Sequence, residues 1–376
     1  MNILYLSNTR FASTPFRDAS TRYRCYNFAE ALCDRQHVVD VGVTDIIDTQ
    51  IIERYDVVVV LRPSFDRKLV SIANICNSNN IVFVADFDDL IFDPAMASHS
   101  PVVKNSQASE EQVENIFRKH KGSLQLFDKF TVATAELAER LKSVTPNADI
   151  LHLPNGLSEF SNKYNNHLLN EKSENRVAQL TNINSGLVSG DITYLPGTRS
   201  HDHDFANAQN SLSEIVNSRS DCRLNIIGAL QFNESLFTPD KLVRGTWKEF
   251  YELPNVIANS WLTIAPLAES AFNQSKSHIK FIESAAFGTP HISNLLPDLE
   301  QHNVKGLSVV KEESEWLSAI EQYSDPGYYN ECVNELRTYA LENCMASRSI
   351  SILLSFIDKS THSNHNEYSS TLSKTG

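Results

Sequence analysis

Residues 272–290 carry the side chains most able to do chemistry: an asparagine, two lysines, serines and a glutamate, ending in Gly-Thr-Pro. Read as a helix opening near Ser275, the stretch stacks Asn273, Lys276, Ser277, Lys280 and Glu283 on one side, at steps of three and four. Ile279, Ile282, Ala285 and Ala286 fall largely on the other side and are expected in a core. Gly288 stands where a helix end takes a left-handed residue, and Pro290 forbids continuation. Hydroxyls and a lysine at a helix's positive end suit an anion, because free N–H groups and the helix dipole point the same way. Glu283, two turns on, can accept hydrogen bonds from sugar hydroxyls. A nucleotide diphosphate fits the set. The rival is a solvated helix face with i,i+3 pairing. Asn-x-x-Lys-Ser and Gly-x-Pro weigh against it, since a plain surface helix needs neither.

The elements that must position these groups alternate regularly. Residues 2–6 form an apolar run typical of the first strand of a parallel sheet. After a polar loop, residues 21–32 give a helical apolar face through Tyr23, Tyr26, Phe28, Ala29 and Leu32. Arg22 and Arg24 open that helix at the carboxyl end of the first strand, where ligands bind in open α/β sheets. They are candidates for a phosphate or acceptor loop; the rival is exposed arginines paired with Asp18 or Glu30. Strands follow at 37–41, 56–61, 81–85 and 130–133, with helices at 69–76, 107–122 and 135–142. A Pro-Asn-Gly turn at 154–156 closes the first half. The second half has strands at 191–195, 224–228, 261–267 and 291–293, and a short helix at 247–253 before Pro254. Helices at 313–322 and 329–345 end it, with 349–356 continuing the last. The pattern predicts an α/β protein built on doubly wound parallel sheets.

Two further clusters attract attention. Asp86, Asp88 and Asp89 crowd like charge at a strand's carboxyl end. They fit a metal site, an acceptor-hydroxyl contact or general base, or helix capping. No further hard ligand accompanies them, which favours substrate contact. His201 and His203 invite a zinc reading, but no other ligands join them.

Composition bounds the rest. Net charge is -13, with 33 basic and 46 acidic residues among 376, so a nucleic-acid partner is not expected. Six scattered cysteines without metal spacing read as free thiols in a reducing compartment. The N-terminus runs directly into a strand and no apolar run reaches membrane length, so neither a signal peptide nor a membrane span is expected. A cytoplasmic protein is expected, with contact at the inner face of the membrane left open.

In chain order the motifs are Ser-Thr-Arg-Tyr-Arg, Asp-Phe-Asp-Asp-Leu-Ile-Phe-Asp, Pro-Asn-Gly, Pro-Gly-Thr-x-x-His-x-x-Asp-Phe, Ile-Ile-Gly, and Asn-x-x-Lys-Ser-x-x-Lys-x-x-Glu with Gly-Thr-Pro. Together they resemble nucleotide-sugar-dependent glycosyltransferases of the GT-B fold, in the retaining group-1, family-4-like set of bacterial polysaccharide enzymes. The resemblance implies two Rossmann-like domains facing across a cleft. Residues 1–160 would take the acceptor side, 161–190 a linker, and 191–345 the nucleotide-sugar side. A C-terminal helix at 346–359 and a disordered tail at 360–376 would follow. It implies that Glu283 binds the donor ribose, with Lys276, Ser277 and Lys280 near the diphosphate or donor sugar. Arg199, Asn273 and Ser275 would complete the donor set. His201, Asp88 and Asp89 would serve catalysis, the aspartates facing the acceptor. No metal would be required. The expected substrates are a nucleotide sugar and a polysaccharide or lipid-linked glycan acceptor.

Two departures stand out. Many relatives carry two glutamates seven residues apart; Glu283 matches the second, and Ser275 occupies the first. The Gly-Gly of the first loop is also missing. These leave room for a catalytically inactive partner of the same fold in glycan assembly. A nucleotide-sugar epimerase is the other alternative.

Overall fold

A computed structural model describes residues 1–166, 176–182, 185–197 and 199–358. The expected tail at 360–376, and residues 167–175, 183 and 184 of the linker, lie outside the described residues.

Among the described residues, twelve strands form two six-stranded, all-parallel sheets. The first holds β1 (Asn2–Ser7), β2 (Val38–Val43), β3 (Val57–Leu61), β4 (Val82–Phe87), β5 (Lys129–Val132) and β6 (Asp149–His152), in spatial order β2-β1-β3-β4-β5-β6. The second holds β7 (Asp191–Gly197), β8 (Arg223–Gly228), β9 (Leu242–Gly245), β10 (Leu262–Ala265), β11 (His291–Asn294) and β12 (Leu307–Val310), in order β12-β11-β10-β7-β8-β9. Two Rossmann-like α/β units result. All five residues of β3 are buried, as expected of a strand covered by helices on both faces. Short β6, β9 and β12, which lack such apolar runs, escape the sequence reading.

The strand order reverses between β1 and β3 in one sheet and between β7 and β10 in the other. Loops at the carboxyl ends of these strands flank the switch points, the usual ligand position in open sheets. They carry Ser20, Arg62, His201 and Lys276 among others.

The chain end differs from expectation. The helix Pro326–Asn343 stops, a 3-10 turn spans Ala346–Ser349, and a separate helix runs Ile350–Ile357. That last helix buries Ile350, Leu353 and Ile357 against Ile3, Tyr5 and Phe28, returning the chain to the first sheet. Its path crosses the Pro-Asn-Gly turn. A Cβ on Gly156 would meet the Ala346 Cα at 2.5 Å, so only glycine permits the crossing. The helix expected at 247–253 is also displaced. A 3-10 turn occupies Phe250–Glu252, and the α-helix runs Leu253–Asn259 with Pro254 in its first turn. There its missing N–H costs nothing.

Candidate functional site

The loop after β10 departs from a continuous helix. A 3-10 turn covers Asn273–Ser275, Lys276 is extended, and the α-helix spans only Ile279–Ala286. The Oδ2 of Asp298 accepts from the His278 amide at 2.8 Å, which fixes the chain just ahead of the helix. Ile282, Ala285 and Ala286 are buried as expected, while Ile279 is only half-buried. Gly288 takes φ +61, and a Cβ there would meet the Val333 oxygen at 2.7 Å.

This geometry divides the residues grouped by spacing. Lys276, Ser277 and Lys280 line a cavity of about 280 Å³ together with His201, and Ser20, Asp88 and Asp89 close it from the first domain. In the first helical turn the Phe281 amide bonds to the His278 carbonyl at 2.9 Å, which leaves the amides of Ile279 and Lys280 without intrahelical acceptors, and these two residues border the same space. Neither lysine has a carboxylate in ion-pair contact among the described residues. The Lys280 Nζ donates to the Leu195 carbonyl at 3.0 Å and lies over the Tyr194 ring. Burial, then repulsion from Lys276, lowers its pKa to about 8.

His201 sits opposite. Burial, reinforced by the lysines, lowers its pKa to about 3, although the Asp204 hydrogen bond pulls the other way. The ring is therefore neutral, and its Nδ1 donates to Asp204 Oδ2 at 2.8 Å. That leaves Nε2 as an acceptor. Burial pushes Asp204 up, but the His201 hydrogen bond and the nearby charges outweigh it and hold the carboxyl at about 2.

The remaining candidates go elsewhere. Asn273 is buried; its Nδ2 donates to Asp204 Oδ1 and to the Ala268 carbonyl, both at 2.8 Å, bracing the loop rather than facing the lysines. Ser275 is fully buried and its hydroxyl turns back toward the Ala271 carbonyl. Arg199 pairs with Asp202 at 3.1 Å and with Gln231, away from the cavity. Glu283 lies beside the cavity in a separate apolar niche with Tyr23, Leu253 and Phe250. Its Oε1 accepts from the Tyr23 hydroxyl at 2.6 Å, a contact between the two domains. Burial raises its pKa, opposed by Tyr23 and by the charges of Arg22 and Lys280.

The arginines are neither exposed nor paired with Asp18 or Glu30 in ion-pair contact. A π-turn over Arg22–Tyr26 buries Arg22, Tyr23, Arg24 and Cys25 in succession, a local insertion often found at functional sites. Arg24 spans Asp86 with Nε and Nη2 at 2.8 and 2.6 Å, and its Nη1 reaches Leu153 O and Asn155 Oδ1. All of its nitrogens are engaged, so it carries structure and not phosphate. Arg22 donates to the Phe16 and Arg17 carbonyls and stacks over Phe250.

The acidic cluster is thus neutralised. Arg24 takes Asp86; Arg62 takes Asp88 through Nε and approaches Asp89 at 3.8 Å. Arg62 adopts φ +51, and its amide donates to the Asp86 carbonyl. A non-glycine residue held there stores on the order of 1 kcal/mol of strain. Asp88 keeps a lowered pKa because Arg62 and Ser20 outweigh its burial. Among the described residues no group of three His, Cys, Asp or Glu side chains is placed to hold a metal ion.

Sequence reading missed Tyr23, Arg62, Asn155 and His278. Asn155 links the domains by donating to Ser277 Oγ at 2.9 Å while accepting from Arg24. The Pro-Asn-Gly motif flagged it only as a turn.

The chain is similar in fold to several solved structures. An alpha-glucosyltransferase (AGT) in complex with UDP aligns at TM-score 0.63 and 9% identity, over 95% of this chain and 99% of the other. Anabaena HepE in complex with UDP and glucose aligns at TM-score 0.58 and 11% identity, over 94% and 99%. The fold is GT-B. T4 phage BGT, in complex with UDP and Mn2+, aligns at TM-score 0.50 and 11% identity, over 95% and 100%. No family model matches the chain, and no curated protein does. In this GT-B protein the lysine cavity lies between the two Rossmann-like units, at the carboxyl ends of β7 and β10. Among the described residues no helix is long and apolar enough to cross a membrane.

Proposed function

We propose that the protein is a glycosyltransferase that moves a sugar, with retention, from a nucleotide diphosphate donor to a growing polysaccharide or lipid-linked glycan. One observation carries the reading: two part-buried lysines and a helix N-terminus converge on one cavity without a carboxylate in ion-pair contact. Burying two like charges is unfavourable unless an anion completes the site. A diphosphate does so, and similar structures are complexes with UDP. Lys276 and Lys280 would offset the charge on the departing diphosphate. His201, neutral and with Nε2 left as an acceptor by the Nδ1 bond to Asp204, would accept from a donor-sugar hydroxyl, and Asp88 and Asp89 would meet the acceptor. Glu283 would reach the donor ribose once Tyr23 withdraws.

The test is a thermal-shift panel of UDP, GDP, ADP and CMP with their common sugar conjugates. A ligand at about 100 times its dissociation constant adds about 2.7 kcal/mol. Silence from the whole panel would sink the reading. The lysines also predict that transfer persists in EDTA; loss of activity restored by a divalent ion would show that they are insufficient.

The pH dependence follows from Lys280. In the free protein its pKa of about 8 lies below the ordinary 10.5. Its burial therefore costs stability in full below pH 8, and the cost is relieved as pH rises from there toward 10.5. A bound anion needs the charged form. Nucleotide affinity should therefore be flat below pH 8 and fall above it, approaching about tenfold per pH unit. Calorimetry across pH 7 to 10 checks this; a flat profile excludes Lys280 from the phosphate contact.

A second reading has one observation in its favour. Ser275, standing where many relatives carry a glutamate, is fully buried, so no carboxylate enters the cavity from that position. A catalytically silent partner in glycan assembly would bind nucleotide and transfer nothing.

A further inference from the structure

A groove of about 860 Å³, roughly three times the lysine cavity, runs along the carboxyl ends of β10, β11 and β12. Leu267 forms a wall of both. A third cavity, of about 250 Å³, opens against Pro101–Lys104 of the first domain and shares Ala268, Ser270 and Asn273 with the groove. The three spaces follow one another around the loop after β10.

The groove's walls differ in chemistry from the lysine cavity. The side chains of Asn207, Asn210, Gln274, Glu269 and Glu300 line it with no hydrogen-bond partner among the described residues. Four glutamates face a single lysine, Lys311, so the field repels anions. Leu267, Leu295 and Pro297 add apolar surface between the polar groups. Asn273 stands on the wall shared with the third cavity. It is 6% exposed, its amide nitrogen is spent, and its Oδ1 has no partner among the described residues.

We propose that this groove binds an uncharged oligosaccharide and presents its end to the lysine cavity. The inference deepens the transferase reading and rests on it for the direction of transfer. Uncommitted amides and carboxylates are matched by sugar hydroxyls, which donate and accept in pairs. The intervening apolar strips suit the C–H faces of sugar rings. The acidic balance excludes phosphate-bearing or uronate polymers and separates this ligand from the diphosphate next door.

The test titrates the full chain by calorimetry, with and without UDP. The probes are neutral oligomers of glucose and of N-acetylglucosamine, uronic acid oligomers of equal length, and oligolysine. A neutral oligomer should bind at millimolar concentration or better, and the uronates should not. An Asn210→Ala, Glu300→Gln double variant should bind it about tenfold more weakly, the worth of one or two hydrogen bonds, and keep the wild-type response to UDP. UDP binding without any neutral glycan overturns the proposal. So does glycan binding indifferent to the double variant, or a preference for uronate or oligolysine. If UDP fails but a neutral glycan binds and is lost in the variant, the groove stands as a carbohydrate site and the transferase reading falls. If neither binds, both fall.

Discussion

An Arg24→Ala variant is expected to lose about 3–5 kcal/mol of folding stability, the usual cost of removing one partner from a buried ion pair. Arg24 is 1% exposed and Asp86 is 2% exposed, so neither charge can turn to water. Without the guanidinium, Asp86 keeps, among the described residues, only Thr131 as a side-chain partner, at 2.5 Å. The Leu153 carbonyl and the Asn155 amide oxygen lose their donor as well. Urea unfolding followed by circular dichroism measures the change. A companion variant decides the mechanism. Arg24→Met with Asp86→Leu removes both charges and should recover most of the loss, because an apolar pair of similar volume is often neutral or better. An Arg24→Ala protein as stable as wild type would mean that the pair contributes nothing to the fold. The consequence reaches the cleft, since Asn155 hands the same network on to Ser277.

Replacing Lys276 and Lys280 together by methionine should weaken UDP binding by at least about a hundredfold. Each charge-assisted hydrogen bond to a phosphate contributes about 1.5–3 kcal/mol, and two such losses exceed the roughly 2.7 kcal/mol that a hundredfold represents. The fold should tolerate the change. Both side chains are part-buried without ion-pair partners, and Lys280 is already pushed toward neutrality by burial and by Lys276. The ligand-free variant should therefore melt at or above the wild-type temperature. Weak UDP binding with an unharmed melting curve is the diagnostic combination. Unchanged UDP affinity would place any nucleotide outside this cavity.

Legibility in the sequence followed the range of the interaction. Apolar runs such as Val57–Leu61 mark buried parallel strands because covering helices demand continuous hydrophobicity. Gly288 and Pro290 mark a helix end because backbone geometry there admits little else. Lys276, Ser277 and Lys280 could be grouped because five residues of chain keep them close whether or not they are helical. The same nearness misled for Ser275 and Asn273, which are buried at the base of the loop. The helix start was set by Asp298, twenty residues on, holding the His278 amide.

The sequence by itself determined the alternating α/β order, the two parallel sheets and the neighbourhood of the lysines. All of these depend on local periodicity and backbone propensity. The tertiary structure alone decided that Arg24 would meet Asp86, that Tyr23 would reach Glu283 from the other domain, and that Arg199 would turn to Asp202. It also placed Asp88 and His201 around one cavity. The physical reason is that partners for buried charges come from strand order and domain docking. Those join residues as far apart as 23 and 283, a separation at which no periodicity in the chain carries information.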